Sequence, residues 1–248
     1  MRNFILASLN SDYQVLTAKD GDEGLKKAAE EIPDLIISDI MMPKMDGYET
    51  THQLRQNPLT EHIPIILLTA RGDRDSRLKG WHEKADEYLT KPFDTEELKI
   101  RITNLLEIRD ILKRRFAESV FQINEKLAKN KSNCKDASYK KQEEFVLKLN
   151  EVLEQIYSES TFSIGDIADL LFISESQLAR KLKSILDMTP SDYLRRFRLE
   201  KAKSILEKGQ SVGSATFETG FSTPSMFTRC FKAQFGVSPR DYKKSLGL

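Results

Sequence analysis

The sequence lacks the features that mark several protein classes. No apolar run among its 248 residues is long enough to cross a bilayer, and the opening stretch MRNFILASLNSDYQ lacks the long apolar core of a signal peptide. Its two cysteines, Cys134 and Cys230, lie far apart in sequence and near no paired histidine, which excludes a disulfide framework and a cysteine-based zinc site. Glycine-rich phosphate loops are also absent. These absences predict a protein of the reducing cytoplasm.

The net charge of +1 conceals a difference between the two halves of the chain. Residues 1–108 carry 14 basic and 20 acidic side chains, whereas residues 161–248 carry 14 basic and nine acidic ones. An acidic half suits metal and phosphate chemistry, and a basic half suits a polyanion such as DNA. The alternative for both halves is surface charge that only keeps the protein soluble. The chain length predicts two domains.

The first half alternates short apolar runs with amphipathic helices up to about residue 106. The predicted strands are YQVLTA (13–18), DLIISD (34–39), IPIILLTA (63–70) and DEYLT (86–90). Apolar strands separated by helices indicate a parallel sheet covered on both faces. One of the helices is DSRLKGWHEKA (75–85). The chain opens inside another, MRNFILASL, so the strand expected before it is missing and four strands are predicted.

Three residue types with a shared chemistry lie where these strands end. Asp39 closes one apolar strand, Thr69 lies at the end of the next, and Lys91 follows the last. Strand ends of this kind are where α/β folds bind ligands. A carboxylate that attacks phosphorus needs a cation to neutralise the product, and Lys91 would supply it. Taken singly, Asp39 could cap a turn and Lys91 could be a solvated charge. Together, at the ends of three strands, they predict one shared ligand site.

The stretches PDLIISDIMMPKMDGYE, IPIILLTA and ADEYLTKPFDTEELKIRI resemble the receiver domain of two-component response regulators, over about residues 1–106. The resemblance implies a flavodoxin-like fold in which Asp39 accepts a phosphoryl group from a histidine kinase. Thr69 would bond the acyl phosphate, Lys91 would pair with it, and Tyr88 would report on it. It also implies a cis Lys91–Pro92 bond and Mg²⁺ held by Asp39 and the backbone carbonyl of Met41.

The sequence departs from this family in two places. The two acids that the family places at the end of its first strand are absent, which predicts weak Mg²⁺ binding and weak phosphorylation of the chain as written, although an intact parent protein should be phosphorylated. Lys84 stands where the family favours glycine. A dehalogenase-type phosphotransferase would also use a strand-end aspartate, but it needs a second acid two residues later, where this chain has Met41. An enzyme is therefore not predicted.

The last helix of the first half is expected to extend beyond residue 106. Alternating four- and three-residue spacing relates six apolar residues: Leu98, Ile102, Leu105, Leu112, Phe116 and Ile123. This spacing is typical of a coiled-coil seam, and a helix that packs on its own domain is the alternative. KNKSNCKDASYKK (129–141) is polar and aperiodic, so it reads as a linker, and everything from residue 142 on is predicted to be helical.

The basic half shows two helix-turn-helix patterns. In FSIGDIADLLFISESQLARKLKSIL, a turn near 172–174 separates two helices, and Ser174 is the predicted N-cap of the second. Apolar positions at helical spacing face inward: Ile167, Ala168, Leu171, Leu178 and Leu182. The plan repeats in SVGSATFETGFSTPSMFTRCFKAQFGVSPRDYKK, with Gly220 at the turn and three phenylalanines, Phe227, Phe231 and Phe235, in the core. The second helix of such a unit enters the major groove of DNA.

Two such units joined by SDYLRRFRLEKAKSILEKG resemble the AraC-type DNA-binding domain, over about residues 150–245. By position, Ser176, Ala179 and Arg180 would read bases from the first unit. Four residues would do so from the second: Pro224, Ser225, Thr228 and Arg229. Lys183 and Lys232 would meet phosphates, while Arg180 and Arg229 suit guanine.

The sequence therefore predicts α/β plus all-α architecture in three parts: a receiver domain over residues 1–106, a helical linker over 107–145, and an AraC-type domain over 146–248. The predicted function is a homodimeric, sequence-specific transcription regulator controlled by phosphorylation of Asp39. Its organisation also resembles the cytoplasmic tail of hybrid sensors, in which the histidine kinase is part of the same polypeptide. The alternative is a degenerate receiver that acts as a constitutive dimerisation scaffold.

Overall fold

The computed structural model describes residues 1–70, 85–126 and 137–247, and the side chains of all these except 118–126 and 137–140. The chain divides into two compact units, residues 1–143 with 183–187 and residues 144–182 with 188–248. Within the described ranges, no helix is both long enough and apolar enough to span a bilayer. The predicted helix at 75–85 falls, except for Ala85, outside the described residues, as do Lys84 and Cys134.

The first unit arranges parallel strands and helices in the predicted chain order. Its elements are α1 (Arg2–Leu9), α2 (Gly21–Glu31), β1 (Ile36–Asp39), α3 (Gly47–Gln56), β2 (Ile65–Ala70), β3 (Glu87–Lys91) and α4 (Thr95–Lys126). The strands pair in the order β1–β2–β3, with Asp39 beside Leu68 and Ala70 beside Lys91. This confirms the predicted flavodoxin-like arrangement of a parallel sheet with helices.

The apolar run of β2 explains why helices cover both faces of the sheet. Successive side chains of a strand point to opposite faces. Ile66 and Leu68 accordingly join the core with Leu9 of α1 and Leu98 and Ile102 of α4. Their neighbours on the strand, Ile65 and Leu67, pack on the other face with three buried residues of α2, α3 and the loop after β1: Ala28, Leu54 and Ile40. All four β2 residues are at most 2% exposed.

The predicted strand at residues 13–18 is wrong. These residues are described, and they belong to no strand, so the described sheet has three strands rather than four. A strand exists only through hydrogen bonds to a neighbour. In the strand order 2-1-3-4-5 of flavodoxin-like folds, the neighbour of this segment would be a strand other than β1, and the described residues do not include it. Tyr13 and Val15 still pack against the core, as the apolar pattern predicted.

Helix α4 runs without a break from Thr95 to Lys126, which confirms that it extends past residue 106. The first turns of the predicted coiled-coil seam cannot pair with another chain, because Leu98 and Ile102 are buried inside the first unit, at 0% and 3% exposed. The alternative, packing on its own domain, holds there. Leu112 is exposed, and the side chain of Ile123 lies outside the description. The predicted domain boundaries at 106 and 146 stay predictions.

The second unit is entirely helical in its described part. Its elements are α5 (Ala137–Ile156), α6 (Ile164–Leu170), α7 (Glu175–Leu186), α8 (Pro190–Glu207), α9 (Val212–Glu218), α10 (Pro224–Phe235) and α11 (Pro239–Ser245), where the first residues of α5 and the last of α7 are grouped with the first unit. Helix α5 begins five residues before the predicted position 142, so the end of the predicted polar linker is helical. No proline or glycine interrupts it, and Phe145, Leu149 and Leu153 anchor it in the core.

Helix α8 is shared by two separate cores. Its first turns contribute Tyr193 and Leu194 to the interior that Ile167 of α6 and Leu178 of α7 also line. Its last turns contribute Ala202 and Leu206 to the cluster built by the phenylalanines of α10 and its surroundings: Phe221, Phe227 and Phe231. Each helix-turn-helix unit therefore packs on its own end of α8.

Candidate functional site

Strand register brings the predicted phosphoryl-site residues together at one edge of the sheet. Asp39 is the last residue of β1, Thr69 lies next to last in β2, and Lys91 ends β3. Because the three strands are parallel and pair in this order, their carboxyl ends share one edge. This is where the sequence analysis placed them.

Both carboxylate oxygens of Asp39 have partners. The ammonium of Lys91 lies 2.5 Å from Oδ2, and the backbone N–H of Met41 donates to Oδ1 at 3.1 Å. The side chains of Asp39 and Lys91 are 29% and 23% exposed, so the pair is reachable from solvent. A cation is therefore in direct contact with one oxygen of this solvent-accessible carboxylate.

Thr69 and Tyr88 occupy different environments on the strands behind this pair. Thr69 is 1% exposed, and its hydroxyl donates to the backbone carbonyl of Ala70 at 3.3 Å. That bond is long, so exchanging it for a stronger acceptor costs little. Tyr88 is half-buried on β3 and packs against the core that α2 and α3 cover. The Lys91–Pro92 peptide bond is cis, which confirms the expectation from the receiver resemblance.

The loop after β1 is held by contacts that sequence patterns did not reveal. The Lys44 ammonium lies 2.9 Å from a carboxylate oxygen of Asp20, which is the buried N-cap of α2. A hydrogen bond from the Glu23 backbone N–H and the nearby Lys44 charge together hold the pKa of Asp20 below its usual value. At the other end of the loop, a Cβ on Gly47 would lie 2.4 Å from the carbonyl oxygen of Asp39. Only glycine allows the backbone at position 47 to approach the backbone of Asp39 this closely.

The described residues do not form a complete Mg²⁺ site. Mg²⁺ requires near-octahedral oxygen coordination, usually with more than one carboxylate or with substrate oxygens. The Asp39 carboxylate and the Met41 carbonyl are the predicted ligands, and both Asp39 oxygens are engaged by N–H donors. In the described part of the chain, no group of three His, Cys, Asp or Glu side chains is placed to hold a metal ion. The donor set among the described residues therefore fits Mg²⁺ poorly.

The first helix-turn-helix unit is built as its sequence predicted. Ser174 caps α7, since its hydroxyl accepts the Gln177 backbone N–H at 3.1 Å and its own N–H donates to the Gln177 side chain at 2.9 Å. Four of the five predicted inward residues are buried, namely Ile167, Ala168, Leu178 and Leu182, and Leu171 is half-buried. Of the predicted DNA-contacting residues, Ser176 and Lys183 are exposed, and Ala179 and Arg180 are half-buried. Lys183 also forms a 2.6 Å ion pair with Asp187.

The second unit repeats this geometry. Thr223 caps α10 and Pro224 occupies its first turn, a position that suits proline because the N–H there needs no partner. Phe227 and Phe231 are 0% exposed, whereas Phe235 is only partly buried. The predicted DNA-contacting residues Pro224, Ser225, Arg229 and Lys232 are exposed, and Thr228 is half-buried. Helix α9 forms although it contains Gly213, Ser214 and Thr216, and Ser211 is its N-cap.

Sequence reasoning missed two basic residues that join elements of the helical unit. Lys181 of α7 is 0% exposed and its ammonium lies 5.6 Å from the ring centroid of Phe145 on α5, within cation–π range. Arg198 of α8 donates from Nε to the Tyr157 carbonyl at 2.9 Å and from a terminal nitrogen to the Glu159 carbonyl at 2.8 Å. A detectable signal existed for Lys181, which falls within the apolar stripe of α7. Arg198 had none.

Comparisons with known proteins agree with both resemblances. Residues 1–103 match the family described as the response regulator receiver domain, and residues 167–245 match a helix-turn-helix domain. Histidine kinase P4 of Formosa agariphila is 31% identical over 98% of this chain, which spans 17% of that protein's length. The Bacillus subtilis alkaline phosphatase synthesis regulator PhoP is 46% identical over 41% of this chain and 41% of its own.

Among solved structures, the receiver domain of the Pseudomonas aeruginosa sensor histidine kinase PA1611, determined with magnesium in its active-site cleft, is similar to this chain. It is 30% identical, covers 43% of this chain and 88% of its own, and has a TM-score of 0.41.

Proposed function

We propose that this chain, a two-component receiver domain joined to an AraC-type helix-turn-helix domain, regulates transcription under the control of phosphorylation at Asp39. The observation that carries this proposal is the convergence of Asp39, Thr69 and Lys91 at one edge of the sheet, with Lys91 in direct contact with the Asp39 carboxylate. A receiver site and a DNA-binding domain in one polypeptide provide an input and an output.

In the proposed reaction, a carboxylate oxygen of Asp39 forms a bond to the phosphorus of a phosphohistidine while the phosphorus–nitrogen bond breaks. The product is a mixed anhydride on Asp39, and the released imidazole takes up a proton. Lys91 then lies beside the added negative charge and stabilises it. The Thr69 hydroxyl exchanges its long bond to Ala70 for a phosphoryl oxygen. Mg²⁺, when bound, would supply further charge neutralisation.

The DNA-binding domain would use α7 and α10 as its recognition helices. The exposed Ser176 and the half-buried Arg180 of α7 and the exposed Ser225 and Arg229 of α10 are the proposed base-reading residues, while Lys183 and Lys232 would bind phosphates. Arg180→Ala should weaken binding to a selected site by about 1–3 kcal/mol and relax specificity at one position, whereas Lys232→Ala should weaken binding to all sequences alike. Equal losses for both variants on matched and mismatched DNA would dismiss the assignment of Arg180.

The phosphoryl donor would be a histidine kinase. The similarity to Histidine kinase P4 along almost the whole chain supports a donor in the same polypeptide, and hence a cytoplasmic tail of a hybrid sensor. Two such tails would form a homodimer that places its DNA-binding domains on repeated half-sites.

One observation favours a second function. Among the described residues, no group of three His, Cys, Asp or Glu side chains is placed to hold the Mg²⁺ that phosphoryl transfer would use. A receiver of this kind could serve as a constitutive dimerisation scaffold for the DNA-binding domain, without being phosphorylated.

Phosphate-affinity electrophoresis after incubation with acetyl phosphate and Mg²⁺ separates these two functions. The switch predicts a slower band that Asp39→Asn removes, together with tighter binding of the labelled protein to its selected DNA. The scaffold predicts no slower band and DNA binding that is indifferent to acetyl phosphate. Labelling of Asp39 with unchanged DNA affinity and unchanged dimerisation would contradict the switch.

A further inference from the structure

One aromatic residue of the first helix-turn-helix unit is placed at an unusual cost. Phe172 lies in the turn between α6 and α7 at φ +57°, and its side chain is 95% exposed. Positive φ is rare for a bulky residue, and a phenyl ring in water gains nothing from burial. Burial within the domain does not offset the backbone strain at Phe172, so a contact outside the domain would explain why a phenylalanine occupies this position.

The corresponding turn of the second helix-turn-helix unit shows which residue this turn needs. The N–H of Phe172 donates to the Asp169 carbonyl and that of Ile173 to the Ala168 carbonyl, at 3.0 and 3.1 Å. Gly220 and Phe221 make the same two bonds to Phe217 and Thr216. Gly220 is therefore the counterpart of Phe172, at φ +74°. Glycine forms this turn without strain, so the turn does not explain the phenylalanine.

Phe172 is part of a surface with a distinct composition, which we call the acidic patch: Asp166, Asp169, Leu170, Phe172 and Glu175. Asp169 and Leu170 follow Asp166 by three and four residues, so each is its neighbour on the surface of α6, and Leu170 is 45% exposed. Within the described ranges, none of the three acids forms a salt bridge, although the domain as a whole is basic. Its charge repels DNA phosphates, which indicates a protein partner.

A surface of complementary composition lies on the second unit, and we call it the basic patch: Val237, Arg240, Lys244 and Leu246. Val237 and Leu246 are 42% and 43% exposed, and Arg240 and Lys244 are exposed one turn apart on α11. Neither cation is ion-paired within the part of the chain described. The adjacent Lys243 differs, because it donates to the carbonyls of Gly209 and Gln210.

The two patches belong to opposite ends of the domain. The acidic patch lies on the unit that packs on the first turns of α8, and the basic patch lies on α11, which packs on α8 and α10 at its other end. A contact between patches at opposite ends joins molecules head to tail and can repeat along a line. Direct repeats in DNA place binding sites one after another in the same orientation, which suits such a head-to-tail contact.

We propose that the acidic patch of one molecule binds the basic patch of a second copy on the adjacent DNA site, so that copies bind tandem sites cooperatively. Phe172 and Leu170 pack against Val237 and Leu246 of the neighbour, while the acids face Arg240 and Lys244. The contact is distinct from any dimer formed through the sheet-containing unit of residues 1–143.

The first test compares DNA fragments that carry one or two copies of a site selected by the full chain from random sequence. Wild-type protein should bind the two-site fragment cooperatively, by about tenfold, because the second molecule arrives at a high effective concentration. Phe172→Gly should abolish this cooperativity and leave single-site affinity unchanged, since glycine suits the turn. Phe217→Ala is the matched control, because Phe217 is also exposed, at 60%, but lies outside both patches. It should retain cooperativity.

The second test exchanges charges between the patches. Asp169→Lys and Lys244→Glu should each lower cooperativity roughly threefold or more, because a surface attraction becomes a repulsion. An equimolar mixture of the two variants, and the protein carrying both changes, should recover it. Only a contact between copies predicts this recovery.

The proposal is overturned if Lys244→Glu weakens one-site and two-site binding equally, which would make Lys244 a DNA contact, or if the mixture fails to recover cooperativity. A chain that binds no DNA contradicts the proposed function instead. In that case sedimentation of the full-length variants decides the matter: association in the mixture but not in either variant alone supports the contact, and its absence overturns it.

Discussion

The turn of the second helix-turn-helix unit permits a sharp test of backbone packing. Gly220 has φ +74°, and a Cβ there would lie 2.4 Å from the carbonyl oxygen of Tyr157 and 3.0 Å from the guanidinium carbon of Arg198. Arg198 cannot move aside cheaply, because it is hydrogen-bonded to that same carbonyl. Gly220→Ala therefore adds two penalties, one conformational and one steric.

Gly236, which follows the last residue of α10, allows the conformational penalty to be measured without the steric one. It has φ +78°, and a Cβ there would meet nothing within 4 Å. Gly236→Ala should therefore lower the free energy of unfolding by about 1 kcal/mol, the strain of an ordinary residue in the left-handed region. Gly220→Ala should lower it by about 2–4 kcal/mol, because inserting a methyl group against fixed backbone costs roughly 1–3 kcal/mol more.

Thermal unfolding of the full chain, followed by far-ultraviolet circular dichroism, measures this difference. In a unit of about 100 residues, 1 kcal/mol shifts the midpoint by roughly 4–8 °C, so Gly220→Ala should melt about 8 °C lower or more and Gly236→Ala about 4–8 °C lower. Equal shifts for the two variants would refute the steric argument. A shift for Gly236→Ala alone would refute the description of the turn.

Three further predictions concern other contacts. Gly47→Ala should destabilise the first unit by about 1–3 kcal/mol in urea and slow labelling of Asp39, because the added Cβ would meet the backbone beside the acceptor; unchanged stability and labelling would contradict it. Tyr193→Phe should cost about 1 kcal/mol, since it removes the 2.8 Å hydrogen bond from the buried Tyr193 hydroxyl to the half-buried Asn150 side chain; calorimetry showing no loss would count against that bond. The pKa of Asp20 is lowered in the folded protein, so its contribution to stability is present above about pH 4 and lost as the pH falls through the folded value. Asp20→Asn should accordingly make the free energy of unfolding less dependent on pH below about pH 4. A pH dependence identical to that of the wild type would rule the contribution out.

The residues that sequence placed correctly are those whose positions follow from local patterns. Asp39, Thr69 and Lys91 end apolar strands, and parallel strands of one sheet bring their ends to one edge without further information. Ser174 caps α7 because the cap depends only on the following three residues. The roles of these residues in phosphoryl transfer and DNA reading stay predictions.

The features that sequence missed depend on partners distant in the chain. Residues 13–18 have the composition of a strand, but a strand requires a neighbour, and composition does not state whether one is present. Lys44 reads as a solvated charge until the fold brings Asp20 to 2.9 Å. Lys181 lies in the apolar stripe of α7, where a lysine is unexpected, and only the position of Phe145 explains its burial.

The sharing of α8 by both helix-turn-helix cores would restrict the DNA sequences that the proposed DNA-binding domain recognises. A single helix of 18 residues, about 27 Å long, fixes the separation and the relative rotation of α7 and α10. Two DNA-binding units joined by a flexible linker can adapt to variable spacing between their half-sites, whereas two units packed on one helix cannot. Inserting one residue into α8 would turn one module by about 100° relative to the other, so natural targets should keep a constant gap between the two sequences read.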